Sequence, residues 1–90
     1  MPNRNTTIQN KLGLHARASA RLVETANQYE SEVVLITDAQ QHANAKSIMG
    51  LMLLAAKQGT PIELQAEGED AESALDAVEQ LINARFGEKE

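Results

Sequence analysis

Residues 62–86 read IELQAEGEDAESALDAVEQLINARF, and in this stretch a β-strand pattern runs directly into a helix pattern. Ile62, Leu64 and Ala66 alternate with polar residues, which is typical of a strand with one buried and one solvated face. Asp70 is a good N-cap residue and begins a long helix. The apolar face of that helix consists of Ala71, Ala74, Leu75, Val78, Leu81, Ile82 and Phe86. The stretch predicts an α+β protein.

Upstream of this stretch, shorter patterns predict the other elements. Residues 6–9 predict a first strand, and residues 16–28 have helical spacing. A β-branched run at 33–36 and a return at 41–44 predict a hairpin. The apolar segment 48–56 predicts a short helix. The order is therefore βαββαβα. Because each element is apolar on one side only, we expect three helices on one face of the sheet, with the other face solvated.

The first predicted helix is amphipathic, with small apolar residues on one side and charged residues on the other. Its apolar positions are Ala16, Ala20, Val23 and Ala26, and its polar positions are Arg17, Arg21, Glu24 and Gln28. We expect Arg21 either to widen the cationic side of this helix or to pair with Glu24.

The composition indicates a single globular domain spanning 1–90. The net charge of −5 repels a phosphate backbone, and Tyr29 and Phe86 are the only aromatic residues, so nucleic acid is not an expected partner. There is no cysteine, no signal-peptide pattern at the start and no run of about 20 apolar residues. We therefore expect a cytoplasmic protein that does not contact a membrane.

The chemistry is concentrated in residues 13–18, GLHARA, where His15 stands at the start of a predicted helix. A helix N-terminus offers unsatisfied N–H donors and a positive potential, which attract an anion. The same potential, with Arg17 nearby, favours the neutral imidazole that can act as a nucleophile. A phosphoryl group on His15 would be held by the first-turn N–H groups and by Arg17. Taken alone, the pattern also fits a surface histidine beside a solvated arginine.

Other chemistry has little support in the sequence. No carboxylate stands near His15 along the chain to orient it as a general base, so a covalent relay fits better than hydrolysis. His42 has no acidic or cysteine neighbours at metal-ligand spacing, so we expect neither a metal nor a cofactor. The acidic residues at the start of the last helix complement its dipole or are solvated. They are Glu69, Asp70, Glu72 and Asp76.

Two separated motifs, GLHAR at residues 13–17 and NAKSIMG at residues 44–50, resemble the HPr family of phosphocarriers, and they occur in the family's order. The resemblance continues through residues 58–59, the strand at 62–67 and the helix start at 68–70. It therefore covers nearly the whole chain.

This resemblance implies an HPr-like open-faced β-sandwich with an antiparallel sheet of order 1-4-2-3. It also implies that enzyme I phosphorylates His15 on Nδ1, that Arg17 stabilises the phosphoryl group, and that IIA-type proteins receive it. The chain would then be a phosphocarrier of the phosphoenolpyruvate-dependent phosphotransferase system rather than a turnover enzyme. One departure is Ala18, where the family usually has proline, because Ala18 restores a backbone N–H in the first turn.

The resemblance further implies a docking surface beside the histidine, around Ser47. A short helix that is apolar all round cannot bury every side, and methionine adapts to several partners, so we expect exposed contacts. Core packing is the alternative for the residues of this helix. The candidate partner-binding residues are Ala16, Ala20, Ile48, Met49 and Met52.

Ser47 has two interpretations. It is a good N-cap residue for the short helix. In some members of the family the same serine is also a regulatory site, phosphorylated by an HPr kinase/phosphorylase. A phosphate there would place negative charge on the docking surface and inhibit transfer.

Two other functions stay open from the sequence. One is a regulatory interaction module of the same fold, controlled by phosphorylation at Ser47, although the presence of His15 argues against it. The other is a small-molecule or metal carrier, which lacks ligands and a glycine-rich loop. The resemblance leaves open the sugar or the nitrogen branch and the identity of the acceptor. We expect a monomer.

Overall fold

Four strands and three helices are present in a computed structural model that describes residues 2–90. The strands form one antiparallel sheet of order β1-β4-β2-β3, which confirms the predicted α+β class and sheet order. The elements are β1 (Asn3–Thr7), α1 (Ala16–Ala26), β2 (Glu32–Thr37), β3 (His42–Asn44), α2 (Ile48–Leu54), β4 (Pro61–Glu67) and α3 (Ala71–Asn83), followed by a 3-10 turn (Arg85–Gly87).

The core lies between the sheet and the helices. On β4, Ile62, Leu64 and Ala66 are buried, as the alternation predicted, and Leu64 pairs with the equally buried Leu35 of β2. The predicted apolar face of α3 is buried against this side of the sheet, with Leu81 partly buried at its margin. Fully burying one such aliphatic side chain stabilises a fold by about 1.5 to 3 kcal/mol. The alternating pattern of β4 therefore sets which face of the sheet carries the helices.

The first strand lies further toward the N-terminus than predicted. It spans Asn3–Thr7 instead of 6–9, and it is defined by pairing with β4, in which Thr6 opposes Ile62. Ile8 has left the ladder and is buried in the core. The prediction was wrong because a polar edge strand has no apolar alternation to reveal it, and pairing with a distant strand determines its position.

The buried face of α1 also differs from the prediction. Ala18, Ser19, Leu22 and Ala26 are the buried residues of this helix, whereas Ala16 and Ala20 are exposed. The largest aliphatic side chain of the helix, Leu22, is fully buried, and residues four apart from it share its face. The small alanines at 16 and 20 do not determine the orientation.

Helices α2 and α3 end earlier than their apolar spacing predicted, and α1 ends at Ala26 rather than at residue 28. Helix α2 stops at Leu54 because Ala55 takes a left-handed conformation with φ of 51°. Helix α3 stops at Asn83, and Phe86, expected on its apolar face, lies in the following turn with φ of 55° while still fully buried. Ala56 after α2 and Phe86 after α3 are both buried. Apolar residues at helical spacing therefore continue past the end of each helix.

Arg4 ties β1 to α3. Its guanidinium forms ion pairs with Asp76 at 2.8 Å and with Glu72 and Glu79 at 2.9 Å each. These hydrogen bonds, the one to Asp76 first, raise the pKa of Arg4 above its ordinary value. Glu72, in the first turn of α3, and Asp76 are exposed, as expected for acidic residues near a helix start, and both are also partners of an arginine. In the described part of the chain, no helix is long and apolar enough to cross a membrane.

Candidate functional site

The loop before α1 is held close to the end of α2. Gly13 has φ of 66°, and a Cβ at this position would lie 2.4 Å from the Ala56 carbonyl oxygen and 2.7 Å from the Cα of Lys57. The next residue, Leu14, is buried and donates its backbone N–H to the same Ala56 oxygen at 2.9 Å. Only glycine fits position 13 without strain or collision. This contact fixes the approach of the chain to His15.

His15 is the N-cap residue of α1, but its side chain does not cap the helix. The backbone is extended there, with φ of −75° and ψ of −179°, and the His15 carbonyl accepts from the Ser19 N–H at 2.9 Å. The imidazole makes no capping hydrogen bond. The N–H groups of the first turn therefore keep their capacity to bind an anion.

The imidazole instead contacts the C-terminal segment. Nε2 of His15 lies 2.5 Å from Oε2 of Glu88, and the other carboxylate oxygen of Glu88 accepts from Nδ2 of Asn10 at 2.9 Å. The sequence analysis considered only neighbours along the chain, where no carboxylate stands near His15, and so it did not find Glu88. Glu88 is 73 residues away in sequence, and no local spacing in the sequence could have indicated it.

The C-terminal segment is held in place by backbone contacts. Arg21 donates from Nη1 to the Phe86 carbonyl at 2.8 Å, and the backbone N–H of Lys11 donates to the Glu90 carbonyl. Arg21 therefore holds the segment that carries Glu88. It does not pair with Glu24, which was one of its two expected roles. The buried Phe86 ring fixes the turn from which Glu88 extends.

Glu88 is ionised at neutral pH. Desolvation would raise the pKa of its carboxyl, but hydrogen bonds from Asn10 and His15 and the nearby charge of Arg17 outweigh this and lower the pKa. The side chains of His15 and Glu88 are 28% and 16% exposed. The site therefore combines a half-buried carboxylate with an imidazole that solvent can still reach.

A hollow of about 580 Å³ opens beside this pair. Leu12, Ala16 and Arg17 line it together with His15 and Glu88. Arg17 is exposed and has no ion-pair partner within residues 2–90, so its guanidinium is available to an anion in the hollow. The structure thus brings the two sequence-predicted residues, His15 and Arg17, to one cavity.

Helix α2 has a capped start and an exposed apolar face. The Gly50 N–H donates to Oγ of Ser47 at 3.0 Å, so the structure places Ser47 as the predicted N-cap. Ile48 and Met52 are each 42% exposed and Met49 is 69% exposed. These three side chains are therefore not core residues, and their role in docking stays a prediction.

Two further exposed apolar side chains escaped the sequence analysis. Leu53 on α2 is 77% exposed, and Leu12 in the loop before His15 is 68% exposed. Leu12 lines the hollow, so an apolar side chain stands directly beside the imidazole. Its isolated position between Lys11 and Gly13 gave no periodic signal.

The remaining candidates lie elsewhere. His42 is exposed on β3, and within residues 2–90 no group of three or more His, Cys, Asp or Glu side chains could hold a metal ion. Asp70 precedes α3, but its carboxylate does not cap that helix. It accepts from the N–H groups of Glu30 and Ser31, at 3.0 and 2.9 Å, and from the Ser31 hydroxyl. These bonds, the hydroxyl first, lower the pKa of Asp70.

Residues 2–84 match the protein family described as "PTS HPr component phosphorylation site". The chain is 51% identical to the phosphocarrier protein HPr of Neisseria meningitidis serogroup A, over the full length of both. It is 41% identical to the phosphocarrier protein NPr of Shewanella violacea, over 94% of this chain and 92% of that protein. The crystal structure of HPr-C-His from Thermoanaerobacter tengcongensis superposes with a TM-score of 0.94 at 43% identity, covering all of both chains.

Proposed function

Since the chain belongs to the HPr family and is a phosphocarrier of the phosphotransferase system, we propose that His15 is the residue that carries the phosphoryl group. The supporting observation is the placement of its imidazole at the start of α1, turned away from the capping position and beside a hollow lined by Arg17. Residues 1–90 act as a single carrier domain in this proposal.

Nδ1 is the nucleophile in the proposed step. Nε2 is occupied by Glu88, and within residues 2–90 no hydrogen-bond partner engages Nδ1. The lone pair of Nδ1 forms the bond to phosphorus, and the bond between phosphorus and the donor breaks with its electron pair. The phosphoryl oxygens then lie near the positive end of α1, where backbone N–H groups and Arg17 stabilise their charge. The second transfer reverses these bonds on an acceptor.

Enzyme I is the proposed donor and IIA-type proteins are the proposed acceptors, in the cytoplasm. They dock on a surface defined here as the partner face, which combines the exposed positions of two helices. Its members are Ala16, Ala20, Ile48, Met49 and Met52. Five exposed apolar side chains, of which Ala16 also lines the charged hollow, match the usual composition of an interface core with a polar rim. Modification of Ser47 by a kinase would add charge to the edge of this face and stays a prediction.

Phosphorylation by enzyme I and phosphoenolpyruvate tests the role of His15. Mass spectrometry should find one acid-labile phosphoryl group on the wild-type protein and none on His15→Ala. His42→Ala is the matched control, since His42 is the other histidine and lies on β3. It should be phosphorylated to the wild-type level. An unchanged level in His15→Ala would refute the proposal.

Substitution of Met49 tests the partner face. Met49→Glu should slow transfer from enzyme I by about fivefold or more, the equivalent of about 1 kcal/mol at an interface. Because Met49 is 69% exposed, circular dichroism should show an intact fold. The control is Ser73→Glu, which adds the same charge at an exposed position of α3. Equal transfer rates for the two variants would remove Met49 from the face.

We also propose that the protein is a monomer. The supporting observation is that one continuous core joins the sheet to the helices within a single chain. Light scattering at increasing protein concentration should give the mass of one chain, 9.8 kDa. A mass that doubles would contradict the proposal.

A further inference from the structure

Three side chains from distant parts of the sequence form a hydrogen-bonded chain that ends on the imidazole of His15. Nδ2 of Asn10 contacts Oε1 of Glu88 at 2.9 Å, and Oε2 of Glu88 contacts Nε2 of His15 at 2.5 Å. A carboxylate can only accept hydrogen bonds. When the imidazole is neutral, its single proton must therefore be on Nε2, which leaves the lone pair on Nδ1.

Asn10 determines which group donates and which accepts in these hydrogen bonds. Its side chain is fully buried, and Nδ2 also donates to the Gly13 carbonyl at 2.8 Å. Both neighbours of Nδ2, the carbonyl and the carboxylate, are acceptors, so the opposite orientation of the amide would place its oxygen against two acceptors. Asn10 consequently presents a donor to Glu88 and fixes one carboxylate oxygen, while the other faces His15.

We propose that Glu88 is a positioning residue, which holds the proton of His15 on Nε2 and keeps Nδ1 free as the nucleophile, and that Asn10 orients Glu88 for this role. The inference rests on the proposed function of His15. In the transfer step, Nδ1 bonds to phosphorus and the donor keeps the electron pair of the broken bond. No proton has to leave the ring. The imidazole becomes cationic, and its charge faces the carboxylate of Glu88.

The substitution Glu88→Gln separates this role from a structural one. The side-chain oxygen of the new amide must accept from Asn10, so its nitrogen faces Nε2 and donates to it. The neutral ring then carries its proton on Nδ1, which blocks the nucleophile. In Glu88→Ala the imidazole has no partner at Nε2 and both tautomers are accessible. The isosteric glutamine should therefore harm phosphoryl acceptance more than alanine does.

Nitrogen-15 NMR of histidine-labelled protein reports the tautomer without any phosphoryl transfer. At a pH where the imidazole is neutral, His15 should be the Nε2–H tautomer in the wild type, mainly Nδ1–H in Glu88→Gln, and a mixture in Glu88→Ala. The matched control is Glu90→Gln, which removes a carboxylate from the lining of the same hollow but not from contact with the imidazole. It should keep the wild-type tautomer.

Transfer rates provide the second measurement. Glu88→Ala should accept the phosphoryl group from enzyme I about two- to tenfold more slowly, the equivalent of one ordinary hydrogen bond. Holding the histidine of a serine-protease triad in the wrong tautomer lowers turnover by about 10⁴. We expect Glu88→Gln to be slower than Glu88→Ala by at least about tenfold, on the same grounds.

Two results would overturn the inference: an Nε2–H tautomer in Glu88→Gln, or equal transfer rates for Glu88→Gln and Glu88→Ala. If the glutamine variant fails to fold by circular dichroism, Glu88→Ala decides, because it must show an Nδ1–H fraction above that of the wild type. Loss of phosphorylation in the wild type itself would refute the proposed function, whereas the tautomers would still test the role of Glu88.

Discussion

The starts of α1 and α2 use their N-cap residues in opposite ways. At α2, Oγ of Ser47 accepts from the Gly50 N–H, so the cap side chain satisfies a donor of the first turn. At α1, the His15 side chain makes no capping bond and turns to Glu88. A good cap is worth about 1 kcal/mol. The comparison indicates that α1 lacks this stabilisation and leaves its first-turn donors without a side-chain cap, whereas α2 has a capped start.

Two charged residues surround the imidazole at the start of α1. Within residues 2–90, Arg17 in the first turn of α1 has no ion-pair partner, and the carboxylate of Glu88 contacts Nε2 of the imidazole. The sequence analysis expected only positive potential around His15. Glu88 adds a negative charge at Nε2, which would stabilise the positive charge that the ring gains in the proposed phosphoryl transfer.

Removal of the Arg17 guanidinium should have the largest effect on this comparison. Arg17→Ala should slow phosphoryl transfer from enzyme I by about ten- to hundredfold, since one charge-assisted contact of about 1.5 to 3 kcal/mol is lost. The free energy of unfolding should change by at most about 0.5 kcal/mol, because the side chain is exposed. Quenched-flow rates and urea titrations measure the two quantities.

Arg17→Lys is the matched variant, because it keeps the charge but loses the planar fork that binds two oxygens at once. It should recover only part of the rate. If the alanine variant transfers as fast as the wild type, Arg17 is a solvated residue of α1 and has no part in the site.

Removal of the α2 cap should have a smaller effect, and on stability. Ser47→Ala should lower the free energy of unfolding by about 1 kcal/mol, because the Gly50 N–H loses its acceptor. Ser47→Asp should recover most of this loss, since aspartate is an equally good N-cap. Urea titrations of the three proteins give the comparison. Equal losses for alanine and aspartate would show that the hydroxyl stabilises the protein in some other way than as a cap.

Local patterns predicted the elements that depend on neighbours in sequence. The alternation in β4 and the spacing of apolar residues in α3 succeeded because each is an amphipathic period that tertiary packing reinforces. The prediction that Ser47 caps α2 was confirmed because this hydrogen bond joins residues only three apart in sequence. The position of His15 before a helix was predicted on the same local grounds.

Long-range pairing determined what the sequence could not predict. Strand β1 has no apolar alternation and is defined by its partner β4. Glu88 reaches His15 because Phe86, in a left-handed conformation, turns the chain back after α3 while its ring stays in the core. Because Phe86 continues the helical spacing of α3, the sequence predicted a longer helix and not a turn. The contact of Glu88, which follows this turn, was therefore not predicted.

The start of α3 offers a third case, with the smallest expected effect. Asp70 is at the N-cap position, yet its carboxylate binds Ser31 and the Glu30 N–H instead of α3. These bonds lower the pKa of Asp70 in the folded protein. Its contribution to stability is therefore complete above the ordinary aspartate pKa of about 3.9 and is lost as the pH falls through the lowered folded pKa.

In urea titrations from pH 7 to pH 2, the stability difference between wild type and Asp70→Asn should be largest near neutrality and shrink toward zero in acid. Glu69→Gln, at the exposed neighbouring position, should show a difference that is small at every pH. A constant difference for Asp70→Asn would mean that the ionised carboxylate is not what joins the start of α3 to the segment before β2.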